Sequence, residues 1–600
     1  MRKWACVFLF LGFRAGACET PFTAPAAHAE LELQIVALEL CGEKAPLGLA
    51  LFQIGDLGKA LPMLTQHAGT DPRLSAAAAL GHLDMGKFSD ALEWATRSAT
   101  GPWRAVGHYV AGRALTELGR STDALSAYQK ALDSDSTFVE ARLAMATLRD
   151  RNGDVPGAWK DYQRVLAVDP KNAAVRQRSE ALAKTLDRPA ETLVPPQRLT
   201  KHQALEGLKD PGPLLRIGLG TDGRGRTIPR SAVEVQCAGP FRWTDPAGKT
   251  LLRGKGGEPW TVTASSVGIR LNGPGLRRVF PSSRVTMKPD RPTDSVIIRQ
   301  LARGVGFTWS SFSDREVRGQ LEISVAGRAV RAVNRVGLEE YLRGVVPAEM
   351  PARFPSEALK AQAVLARTYA LFQRDVRRPH RRDGYDLCDE QHCQVYGGVP
   401  LENEKTNEVL EATRGLVLRY KNLPVHAVYS SHCGGASQSG GEIGWGDVPY
   451  WGSATDGEFC APSRFVEDVK HRWVRLTWAE DVGRRLKTKK DIGPLVSIAV
   501  TARGASGRAT EVTARGEKGT LVLDRESEIR RLFGLAMLRG TGFDVFPVFR
   551  AGRPAYFLVE GRGWGHGVGM CQSGAAGRAE SGQDFKEILA HYFPGSALNK

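Results

Sequence analysis

One carboxylic acid stands out by its surroundings. Glu349 sits in the run Pro347-Ala348-Glu349-Met350-Pro351, directly after Val345 and Val346. Apolar neighbours withhold water from a carboxylate and raise its pKa toward neutrality, which is what a general acid for a glycosidic oxygen requires. Further on, His380, Cys388, His392 and Cys393 place four soft or borderline ligands within fourteen residues. That set suffices for a tetrahedral zinc site if the loop folds back, and its rival is a Cys388–Cys393 disulfide. Cys433 and Cys460 flank the Trp445 loop and form the best remaining disulfide pair, with Cys571 as a buried thiol. No GxSxG elbow accompanies His432 or His566, so serine-nucleophile chemistry has no support.

These residues need elements to position them. Leu359, Ala363, Ala366 and Ala370 recur at helical spacing, which predicts a helix with a small-residue face and leaves Glu349 on the connection ahead of it. Lys360 and Arg367, seven residues apart, fall on one side of that helix. Upstream, short Val, Ile and Thr runs such as SAVEVQ, WTVTAS, GIRLNG and SVIIRQ read as strands from Leu214 onward. Residues 187–213, rich in Pro, Lys and Gln, read as a linker.

The N-terminal third follows another rule. A Gly is followed five residues later by Ala at Gly55/Ala60, Gly86/Ala91, Gly119/Ala124 and Gly153/Ala158, and a 34-residue register relates the last two units. Gly permits the tight turn of a helical hairpin, and Ala lets the two helices approach. Residues 30–186 therefore resemble the tetratricopeptide family, whose solenoids present a surface to partner proteins.

With 600 residues, 42% of them hydrophobic, the chain has core material for several domains. Its net charge of +17 favours polyanionic neighbours. The basic residues are scattered and no nucleic-acid motif of known spacing is present, so no nucleic-acid partner is expected. Arg2 and Lys3 precede an apolar stretch, Trp4 to Phe13, too short to span a bilayer. Residues 1–29 thus read as a signal peptide ending at Ala27-His28-Ala29, while Ala15-Gly16-Ala17-Cys18 is an imperfect lipobox whose Cys18 is the alternative site of acylation. Cleavage would leave seven cysteines, so at least one thiol is unpaired or metal-bound.

GVVPAEMP, the helix with Lys360, Gln362, Arg367 and Tyr369, CQVYGG, SSHCGG with Trp445-Gly446, and GRGWGHGVGMCQSGA followed by HYFPG resemble, in that order, the blocks of the SpoIID/LytB family of bacterial wall proteins. The resemblance runs from about Val333 to Leu598. It implies a peptidoglycan lytic transglycosylase in which Glu349 is acid and then base, cleaving between N-acetylmuramic acid and N-acetylglucosamine with a 1,6-anhydro product. One carboxylate can then suffice, because the attacking hydroxyl belongs to the substrate. The resemblance assigns Lys360 and Arg367 to substrate binding and charge stabilisation, Gln394 and Tyr396 to sugar contacts, Ser430 and Ser431 to a loop the glycan approaches, and His566 and Gln572 to a cleft wall. Some members of the family bind zinc through a similar His, Cys, His, Cys set, consistent with a structural zinc at His380, Cys388, His392 and Cys393.

The expected architecture is multi-domain α+β: repeats over 30–186, a linker over 187–213, a β-rich region over 214–310 and a mixed α/β catalytic domain over 311–600. The expected setting is the periplasm or cell envelope, with glycan strands as substrate, a protein partner on the repeats and membrane attachment only through Cys18. The rival reading, from another class, is a non-catalytic amidase enhancer that binds wall glycan.

Overall fold

The computed structural model describes residues 27–186, 197–533 and 538–600. Residues 1–26 of the expected signal peptide, the lipobox and Cys18 included, and the first ten residues of the expected linker lie outside the described residues, whereas the expected cleavage site Ala27-His28-Ala29 lies at the start of helix His28–Cys41. No helix among the described residues is long and apolar enough to cross a membrane. The chain forms two compact units: one joins the chain up to Asp154 with Arg472–Arg562, the other joins Val155–His471 with Gly563–Lys600.

The first unit begins with helical hairpins built as the Gly/Ala spacing predicts. Lys44–Ile54 turns into Leu57–His67, Pro72–Asp84 into Phe88–Ser98, and Arg104–Glu117 into Ser121–Ser134. Gly55, Gly86 and Gly119 sit at these turns with φ of 96°, 72° and 73°, a region where a side chain is strained. Ala60, Ala91 and Ala124 are fully buried at the close approaches. Gly153 has the same left-handed backbone and Ala158 the same burial.

The region Arg472–Arg562, expected to be part of the catalytic domain, belongs instead with these helices. Strands Arg472–Trp478, Arg553–Arg562 and Gly542–Arg550 form an antiparallel sheet in that order. Its side chains alternate between two cores, as the strand period of two requires. Leu476, Phe546, Val548 and Leu558 pack with Leu51, Phe52 and Tyr109 of the helices. Phe543, Val545, Phe557 and Val559 face a second sheet. Asp135 anchors the junction, 2.7 Å from Arg475 and 3.2 Å from Arg539. Burial alone would raise its pKa, but the two guanidiniums hold it at about 2. One face of the helical array is thus covered by the chain's own strands, which narrows the surface that the repeats could offer a partner.

The second unit is built on a seven-stranded sheet and a six-stranded sheet that share one hydrophobic core. The boundary expected between residues 310 and 311 falls inside a hairpin, because Val296–Arg303 pairs antiparallel with Ser311–Val317. The β-rich region and the following domain are therefore continuous. Strand Ala329–Gly337 leads straight into helix Leu338–Glu349, which is followed by helix Ser356–Phe372. The second helix is buried from Ala358 to Ala370 except at Lys360. A helix buried nearly all round belongs at the centre of a fold, not on one face of it.

Candidate functional site

Glu349 ends its helix and does not lie on a free connection: Pro347 is accommodated in the last turn, and Met350 closes it by donating its N–H to the Val346 carbonyl. Proline removes one donor but leaves the remaining turn intact when the chain stops soon after. At a helix C-terminus the exposed carbonyls disfavour negative charge, so the position itself favours a protonated acid.

Three other segments converge on this residue. The Val395 N–H donates to Glu349 Oε1 at 2.6 Å. Tyr429, in the short strand Tyr429–Ser430, lies within hydrogen-bond reach of the same carboxyl and donates to Gln394 Oε1 at 2.9 Å. Gln572, which opens helix Gln572–Glu580, donates to the Glu349 carbonyl and to Gln362 Oε1, each at 3.1 Å. Gln362 Nε2 is buried and has no hydrogen-bond partner. Glu349 as a residue stays partly exposed, while desolvation of its carboxyl by the packed surroundings raises the pKa from 4.5 to about 7. The hydrogen bond from Val395 and the neighbouring Tyr429 hydroxyl oppose that rise, and the nearby Glu390 adds to it.

Close backbone approach makes the convergence possible. A Cβ on Gly344 would meet the Tyr396 ring at 2.7 Å and Gly398 N at 2.9 Å, so only glycine lets the CQVYGG segment lie against the acid's helix. Strand Tyr429–Ser430 pairs in parallel with Met570–Cys571, and His432 bridges to Trp564. The SSHCGG and GRGWGHGVGMCQSGA segments are thereby laced together.

Several residues expected at the substrate are structural. Arg367 is 1% exposed and bonds Glu339 through both carboxylate oxygens at 2.7 Å, so it braces two helices and cannot meet a glycan. Tyr396 is buried with its hydroxyl on Asn334 at 3.2 Å, and Gln394 is buried beneath Tyr429. Lys360 pairs with Glu357 at 2.6 Å, and Glu357 in turn accepts from Phe585 N. Helical spacing placed Lys360 and Arg367 on one side; Arg367 faces protein there, whereas Lys360 keeps part of its side chain in solvent. Ser430 is buried and the Ser431 carbonyl accepts from Ser573 N at 3.1 Å and from its hydroxyl at 2.9 Å, so this loop packs against the helix Gln572–Glu580. His566 stands 5.0 Å from the ring of Trp445, which is 45% exposed, and accepts from Val568 N. Tyr429, Gln362 and the Val395 N–H were missed. The first two stand beside or inside quoted motifs, whereas a backbone donor leaves no signal in side-chain types.

His380, Cys388, His392 and Cys393 do come together. Cys393 Sγ is 3.3 Å from His380 Nε2 and 3.7 Å from His392 Nδ1, and Cys388 Sγ is 3.7 Å from His392 Nδ1. A tetrahedral zinc with ordinary Zn–S and Zn–N bonds has ligand-to-ligand edges of roughly 3.3–3.8 Å, so the set fits the ion. Both thiols are free of disulfide, and Gly225 forms a cradle in which a Cβ would lie 2.5 Å from His392 Nδ1. His380 also has the carboxylate of Asp383 3.4 Å from its other ring nitrogen, the usual arrangement around a ligating histidine. Val395 is two residues beyond Cys393, so this loop sets the donor that meets Glu349.

Comparison with known proteins adds to this geometry. Residues 326–420, which include the acid's helix and the His/Cys loop, match the family model described as stage II sporulation protein, SpoIID. That segment of the chain is thus similar to the SpoIID domain. Residues 465–569 match a domain of unknown function, DUF8618. The amidase enhancer of Bacillus subtilis is 30% identical over 43% of this chain and 40% of its own length. Stage II sporulation protein D of Bacillus amyloliquefaciens is 29% identical over 45% of this chain and 76% of its own length. The SpoIID-like part is thus shared with relatives bearing two different names. A thermophilic TPR protein of Thermus thermophilus is 21% identical over 26% of this chain and 90% of its own length, with a TM-score of 0.22.

Proposed function

We propose that the SpoIID-like domain is an exported peptidoglycan lytic transglycosylase with Glu349 as its single acid and base. The observation that carries the reading is a partly exposed residue whose carboxyl is raised to about 7 by desolvation, met by the Val395 N–H and flanked by Tyr429, with Gln572 on its backbone carbonyl. Near neutral pH about half of such an acid is protonated, which suits it to both roles. The protonated form donates to the oxygen between N-acetylmuramic acid and N-acetylglucosamine as the C1–O bond breaks. The resulting carboxylate then removes the proton from the muramoyl 6-hydroxyl, whose oxygen bonds to C1 and closes the 1,6-anhydro ring. The acid ends protonated, ready for the next bond. Val395 N–H and Tyr429 steady the carboxylate between the two transfers, and the exposed Trp445 ring beside His566 offers a face on which a sugar can stack.

The His380, Cys388, His392 and Cys393 set would hold zinc as a structural ion that stiffens the loop carrying Val395. The setting is the cell envelope, with attachment through Cys18 if that residue is acylated, and the uncovered face of the helical repeats would receive a protein partner.

The second reading, a glycan-binding amidase enhancer, draws on the name of the Bacillus subtilis relative and on the engagement of Arg367 and Lys360 in ion pairs. Mass spectrometry of digests separates the two. The purified protein releases anhydro-muropeptides or anhydro-disaccharides from intact or peptide-stripped glycan, and Glu349→Gln does not. Absence of anhydro products from both substrates, with stimulation of an added amidase, would establish the enhancer instead.

A further inference from the structure

A second cluster of metal-ligating side chains lies behind the wall that faces Glu349. Cys433, Asp456, Cys460 and Cys571 are each at most 2% exposed, and one ligand atom from each lies within 4.8 Å of all the others. The disulfide expected between Cys433 and Cys460 is absent, their sulfurs being 3.6 Å apart. That separation is far beyond an S–S bond yet close to the edge of a tetrahedron of thiolates around zinc.

The surroundings are arranged for charged ligands. Cys571 Sγ accepts from Cys433 N and Gly574 N, both at 3.2 Å, and caps the start of helix Gln572–Glu580, where negative charge is favoured. Asp456 divides its two oxygens: Oδ1 accepts from Tyr592 at 2.7 Å and from Arg578 at 3.2 Å, while Oδ2 points at Cys433 Sγ, 3.2 Å away. A carboxylate braced through one oxygen and free to ligate through the other is the normal second-shell pattern of a metal site. Backbone glycines make room for it. A Cβ on Gly574 would lie 2.4 Å from Asp456 Oδ2, and one on Gly577 would lie 2.0 Å from the Phe459 carbonyl. The small residues of the QSGAAG run thus let the helix approach the turn that carries Asp456 and Cys460. His471, whose buried Nδ1 has no hydrogen-bond partner, stands next to Cys460 as a reserve donor.

We infer that Cys433, Cys460, Cys571 and Asp456 form a second, buried structural zinc site, distinct from the His380 loop. Three thiolates and one carboxylate carry more negative charge than the ion neutralises, and Arg578 offsets part of the excess. The site clamps the loop after Tyr429 to the strand Met570–Cys571, and the next residue, Gln572, is the one that donates to the Glu349 carbonyl and to Gln362.

Metal analysis of the full chain purified with zinc tests this. Two zinc ions per chain are expected, with one retained in the Cys388→Ser/Cys393→Ser variant and lost on further Cys571→Ser. Cobalt substituted into the double variant should keep an intense thiolate-to-metal charge-transfer band. Because a cysteine variant could fail to fold, native protein is also alkylated before and after chelation and mapped by mass spectrometry. Cys433, Cys460 and Cys571 should be protected until zinc is removed. One zinc per chain that disappears with Cys388 and Cys393, or a Cys433–Cys460 disulfide in the mapped peptides, would overturn the inference.

Discussion

Glu349→Gln should stabilise the folded protein at pH 8 and leave its stability unchanged at pH 4. In the folded chain the Glu349 carboxyl has a pKa of about 7 against 4.5 in free chain, with desolvation the first cause. A carboxylic acid whose pKa is raised by folding favours the folded state fully below its unfolded pKa, and that contribution is lost as the pH climbs through the folded value. The window therefore runs from about pH 4.5 to about pH 7. At 1.36 kcal/mol per unit, the whole shift amounts to about 3 kcal/mol of destabilisation once the acid is ionised. Glutamine has the same shape, keeps an oxygen for the Val395 N–H, and carries no charge at any pH in that range. Urea unfolding of both proteins at pH 4, 6 and 8 reads the difference directly. Glu390, also raised to about 7 by burial and by Asp389, is present in both proteins, so its own burial cancels and only its repulsion of Glu349 remains in the difference. The expected curve is near zero at pH 4, rises through pH 6 and levels off by pH 8. A difference that does not change with pH would refute the desolvated acid, whatever the variant does to activity.

Arg367→Ala should cost about 3–5 kcal/mol of stability, because it leaves Glu339 buried without its partner. A raised KM with an unchanged urea midpoint would return Arg367 to the substrate. Gly225→Ala should strip zinc from the His380, Cys388, His392 and Cys393 set, since its Cβ would intrude on His392 and His380 at a backbone angle of φ 75°. Full zinc retention by metal analysis would show that Gly225 does not cradle that site.

The sequence by itself was informative wherever the physics is local. A glycine with a buried alanine five residues on specifies a helical hairpin, because both demands arise within one turn and its two flanking helices, and Gly55/Ala60, Gly86/Ala91 and Gly119/Ala124 conform. The apolar run around Glu349 and the short spacing of His380, Cys388, His392 and Cys393 likewise marked groups whose chemistry is set by near neighbours. Side-chain direction was another matter. Lys360 and Arg367 share a helix side by spacing, but whether that side meets solvent or protein depends on Glu339, which lies on another helix. Tertiary structure alone brought Asp456 and Cys571 to Cys433, and placed Arg472–Arg562 with the N-terminal helices. Those contacts join residues a hundred or more positions apart in several cases, where no periodicity links the partners and only the burial of complementary surfaces selects them.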